Sequence, residues 1–78
     1  MSAGSANERL HALWAEHAGS VRRQLLKFGV TPTDLDDVVQ EVFLIAYDLG
    51  DELANLRNPE GWLHEVSRRV AAAYRRRA

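Results

Sequence analysis

The chain has 78 residues, 46% of them hydrophobic and 27% charged, enough for one domain with one modest core. Without cysteine, disulfides and thiolate metal sites are excluded, and no apolar run nears the roughly 18 residues that would span a bilayer. The opening MSAGSANERL lacks the basic-then-apolar layout of a secretory signal, so the expected setting is the cytoplasm.

Residues 1–7 are small and polar and are expected to be disordered, leaving residues 8–78 as the folded unit. Asn7 can cap a first helix running to about Phe28, with Leu10, Leu13, Trp14, Val21, Leu25 and Phe28 near helical spacing. Gly29 is placed to end it, and Gly19 and Ser20 are expected to weaken it locally.

The TPTD stretch opens a second helix, with Thr33 as cap and Asp34 and Asp36 near its positive end. Leu35, Val38, Val39, Val42, Phe43, Ala46 and Leu49 repeat at helical intervals until Gly50. The period of 3.6 outweighs the lower helix propensity of the β-branched residues.

GDELANLRN, residues 50–58, reads as a connector with room for a short helical turn. Asn58 followed by Pro59 starts a third helix, with Trp62, Leu63, Val66, Val70, Ala73 and Tyr74 as its buried stripe. Nothing reads as a strand, so the expected fold is an all-α three-helix bundle.

The net charge of −1 hides a strong segregation. Residues 31–54 hold Asp34, Asp36, Asp37, Glu41, Asp48, Asp51 and Glu52 with no Lys or Arg, whereas residues 55–78 hold six arginines against Glu60 and Glu65. Such asymmetry points to two unlike partners, one basic and one acidic.

Outside the core stripe, Asp37, Glu41, Leu44 and Asp48 are spaced four, three and four apart and form one lane of the second helix, beside Gln40. A solvated face would account for charge alone. Like charges four apart repel, however, and a large apolar residue among them is a common interface layout.

On the third helix Arg68 and Arg75, and Arg69 and Arg76, are seven apart, with the small residues VAAA between them. Guanidinium groups there suit phosphates. The competing reading, complementing the negative helix C-terminus, covers Arg75 to Arg77 but poorly covers Arg68 and Arg69.

Catalytic and metal constellations are weak. His11, His17 and His64 lack a one-face metal spacing, and DLDD lacks the Gly and later Glu of a calcium loop. No phosphate loop or nucleophile elbow is present. The chain reads as non-enzymatic, with no metal or cofactor expected.

DLDDVVQEVFLIAY (34–47) followed by NPEGWLHEVSRRVAAAYRRR (58–77) resembles region 2 of bacterial RNA polymerase sigma factors, sigma-70 family, extracytoplasmic-function (ECF) class. The resemblance covers residues 8 to 77. It implies that the second helix docks on the clamp helices of the polymerase β′ subunit through Asp37, Gln40, Glu41, Leu44 and Asp48. It also implies that Arg68, Arg69, Ala72, Arg75 and Arg76 meet the promoter −10 element. The preceding loop, through Leu53, Asn55 and Arg57, would then lie beside a base flipped from the opened non-template strand.

The sequence departs from that family in places. Arg69 stands where many relatives have Asn, the loop has no aromatic residue before Trp62, and the −35-reading second domain (region 4) is not expected within these 78 residues. Ending on YRRRA, the chain is expected to be a fragment of a longer factor, with a standalone regulatory paralogue as the alternative.

Two other functions stay open. One is a sigma-like interaction module held by a regulatory anti-sigma partner without productive DNA binding. The other is a generic small helical domain reading duplex DNA, which would need a dimer or a groove-fitting helix.

Overall fold

Three α-helices and one 3₁₀ helix make up the computed structural model, which describes the backbone of residues 2–77 and the side chains of residues 8–77. They are α1 (Ser2–Lys27), α2 (Leu35–Asp48), a 3₁₀ helix (Gly50–Asn55) and α3 (Pro59–Arg77). The expected all-α bundle is the fold observed, and the connector takes the form of the 3₁₀ helix.

α1 begins at Ser2, ahead of the Asn7 signal and within the stretch expected to be disordered. Ala3 and Ala6 are good helix residues, and extending a nucleated helix costs far less than starting one. The helix runs on through Gly19 and Ser20, where the Ser20 hydroxyl accepts a hydrogen bond from Gln24 Nε2 at 3.3 Å.

Its end follows the sequence closely. Gly29 has φ +102°, its N–H reaches the Leu26 carbonyl at 3.1 Å, and the Val30 N–H reaches the Leu25 carbonyl at 3.0 Å. This pair of bonds satisfies two terminal carbonyls, and the buried Val30 and Leu25 supply the accompanying apolar contact.

α2 differs from expectation at its start. Its cap position is Asp34 rather than Thr33, and Asp34 makes no capping side-chain bond. A turn bonded from the Asp34 N–H to the Thr31 carbonyl (3.1 Å) precedes the helix. The Asp34 carboxylate is drawn away to accept from the Tyr74 hydroxyl at 2.7 Å and from Thr31 Oγ1 at 3.3 Å. Asp36 and Asp37 remain in the first turn, where the helix dipole favours them.

α3 starts as expected. Asn58 Oδ1 accepts from the Gly61 N–H at 3.0 Å, with Pro59 at the first helical position. A Cβ at residue 61 would lie 2.6 Å from Asn58 Nδ2, so glycine there leaves room for the cap.

Each helix packs on the other two. The core joins Leu13, Val21 and Leu25 of α1 to Leu35, Val38, Val39, Val42, Phe43 and Ala46 of α2. Leu63, Val66, Val70 and Ala71 of α3 complete it. Trp14, expected in this core, is instead 40% exposed. Leu13 takes the inward position of that turn, and Trp14, about 100° further round the helix, lies at the edge of the core with its ring against Phe43.

Candidate functional site

The acidic lane of α2 lies on the surface. Asp37, Gln40, Leu44 and Asp48 are exposed, Leu44 by 63%, and Glu41 is half-buried. The α2 segment contains no cation, but the other helices bring two to it. Arg22 of α1 pairs with Asp36, and Arg77 of α3 reaches Glu41 at 3.2 Å. Asp37 and Asp48 have no ion pair or side-chain hydrogen bond among the described residues. The lane is thus divided into a carboxylate met from within the fold and two that face solvent alone.

Beside it lies an apolar groove of about 500 Å³ between α1 and α2, which the sequence reading missed. Trp14 forms one wall, its ring 4.4 Å from that of Phe43 and tilted by 51°. Gln40, Leu44 and the 54% exposed Tyr47 form the other. Leu44 and Gln40 belong to both groove and lane. The spacing of Leu13 and Trp14 held no signal for it, because adjacent pairs such as Val38–Val39 and Val42–Phe43 are buried together.

The basic face of α3 is less uniform than its spacing implies. Arg68 and Arg69 are exposed and share the Glu65 carboxylate, Arg69 Nε at 3.5 Å. The Arg68 hydrogen bond holds Glu65 below its ordinary pKa of 4.5, and the same bond raises that of Arg68. Arg75 points back to donate to the Phe28 carbonyl at the end of α1, so it closes a helix terminus as well as adding charge. Arg76 is exposed with no such partner among the described residues. Of the VAAA stretch, Val70 and Ala71 are buried against the other helices. Only the half-buried Ala72 and Ala73 are open to an approaching molecule.

In the connector, Asn55 and Arg57 are exposed, whereas Leu53 is a core residue. Leu53 thus packs into the core while keeping one edge on a groove of the connector. The 3₁₀ turn aims it inward, and it forms part of the floor of a groove of about 430 Å³ that Arg57, Asn58, Arg9 and His17 also line. Trp62, read as core rather than as a stacking platform, is half-buried against the core.

Among the described residues no group of three or more His, Asp or Glu could hold a metal ion, and no helix is long and apolar enough to cross a membrane.

The family described as Sigma-70 region 2 matches residues 13–78. The chain is also similar to the RNA polymerase sigma factor CnrH of Cupriavidus metallidurans, with 34% identity over 65 residues, 82% of this chain and 34% of that protein. The chain thus spans about a third of the length of this relative. No solved structure gives a significant match.

Proposed function

We propose that this chain, which belongs to the sigma-70 region 2 family and to its extracytoplasmic-function class, serves in transcription initiation as the polymerase-docking and −10-engaging part of a sigma factor. The α2 lane of Asp37, Gln40, Glu41, Leu44 and Asp48 docks on the β′ clamp helices. The arginines of α3 position promoter DNA by its phosphates. The connector of Leu53, Asn55 and Arg57, with the groove that Leu53 and Arg57 line, receives a base of the opened non-template strand. Residues 8–78 act by binding alone, in the cytoplasm, where the polymerase works.

The observation that carries this reading is the solvent-facing lane in which Asp37 and Asp48 flank Leu44 without a cation of their own among the described residues. Exposed like charges around an apolar residue gain little within the fold and much from a basic partner helix. The test is binding to purified β′ clamp helices. Asp37→Arg combined with Glu41→Arg should abolish it with helicity unchanged, and unaltered affinity would sink the polymerase assignment. Single-stranded −10-like DNA should bind weakly, with a salt dependence reduced by Arg68→Ala and Arg75→Ala. Far tighter binding to duplex would favour a generic DNA-binding bundle instead.

A second reading has one observation in its favour. Arg68, Arg69 and Arg75 already hold partners within the fold, which favours a module bound by an anti-sigma factor without productive DNA binding. Retained clamp-helix binding with no measurable affinity for single-stranded DNA would select it.

A further inference from the structure

We infer that the groove between α1 and α2 is an anchor pocket, in which Trp14 and Tyr47 clasp one large apolar side chain carried by the same basic helix that meets the acidic lane. The inference rests on the docking proposed above and adds to it a site outside the lane.

Trp14, Leu44 and Tyr47 are 40%, 63% and 54% exposed and come together from two helices. Isolated exposed apolar residues need no explanation, but a concave cluster of two aromatics and a leucine does. At about 500 Å³ and open on one side, the groove has ample room for a Leu, Met or Phe side chain. Trp14 is braced by its ring contact with the buried Phe43, so the wall is set before a partner arrives and little ordering remains to oppose binding.

Charge decides the occupant. The groove adjoins the lane through Gln40 and Leu44, and Asp37 and Asp48 stand on that lane without cations among the described residues. A helix seated there must present Lys or Arg to the carboxylates and, within a turn of them, an apolar residue to the groove. An acidic or uniformly polar helix meets either repulsion or an unfilled pocket. Aromatic side chains at the centre of such a contact are where binding energy concentrates.

The test measures the full chain against bacterial RNA polymerase core enzyme. Tyr47→Ala and Trp14→Ala should each weaken binding by about tenfold or more, and benzoylphenylalanine placed at Tyr47 should photocrosslink to β′. Tyr47 is more than half exposed, so its variant keeps the readout should Trp14→Ala impair folding. Loss of binding in the Asp37→Arg, Glu41→Arg variant, with neither Tyr47→Ala nor crosslinking showing an effect, overturns the pocket and leaves the docking lane standing. Wild-type affinity in the charge-reversed variant overturns both. A dimer in sedimentation that Tyr47→Ala dissociates would show a second copy of the chain to be the occupant, and would also overturn the inference.

Discussion

Arg77, in the last turn of α3, reaches Glu41 in the middle of α2, with Nη2 3.2 Å from Oε1. The contact ties the basic end of the chain to the lane proposed to dock on polymerase. It is also a cation that any docking helix must displace to use Glu41. Both side chains are substantially exposed, 58% and 41%, so the pair holds weakly and gives way easily.

Arg77→Ala is accordingly expected to leave unfolding within about 1 kcal/mol of the parent. It should tighten binding to the β′ clamp helices by roughly two- to fivefold, the reverse of about 0.5–1 kcal/mol of competition. Titration calorimetry of the two proteins checks this. Weaker binding in the variant would mean that Arg77 itself contacts the partner.

Tyr74→Phe removes the hydroxyl that donates to Asp34 at 2.7 Å and lies 3.1 Å from Thr31 Oγ1. Hydrogen bonds to a charged group contribute more than neutral ones, so the variant should lose about 1–2 kcal/mol in urea unfolding. The slope of the transition should not change. A neutral result would show that water replaces the hydroxyl there.

Glu65 supplies the pH dependence. Its folded pKa is depressed below 4.5, chiefly by the Arg68 hydrogen bond. Its contribution is therefore present above the ordinary carboxylate range and lost as pH falls through the folded value. Glu65→Gln should flatten the stability profile below about pH 5. The same variant frees Arg68 and Arg69 from their shared carboxylate and should raise affinity for single-stranded DNA at neutral pH. Filter binding at fixed salt measures the second effect.

Ser67 is fully buried, and its hydroxyl has no hydrogen-bond partner among the described residues. Ser67→Ala removes an unsatisfied polar group while keeping the small volume at the helix contact. The variant should be as stable as the parent or more stable by about 1 kcal/mol, judged by thermal unfolding.

What the residues alone determined is what depends on short separations along the chain. The apolar period placed α2 and α3, because side chains three and four apart share a face wherever the helix sits. Gly29 and the Asn58–Pro59 pair marked helix ends through bonds closing within five residues. The lane of Asp37, Glu41, Leu44 and Asp48 was legible for the same reason, as was the segregation of acidic α2 from basic α3.

Tertiary structure alone decided which of those charges are already answered. Asp36 meets Arg22 across 14 residues, Glu41 meets Arg77 across 36 and Asp34 meets Tyr74 across 40. Leu53 turned inward and Trp14 outward because neighbouring helices had filled or left open the space beside them. Periodicity gives the direction of a side chain about its own helix axis. It carries no information on which helix crosses that face, and this crossing made a groove beside the acidic lane and spent Arg75 on the end of α1.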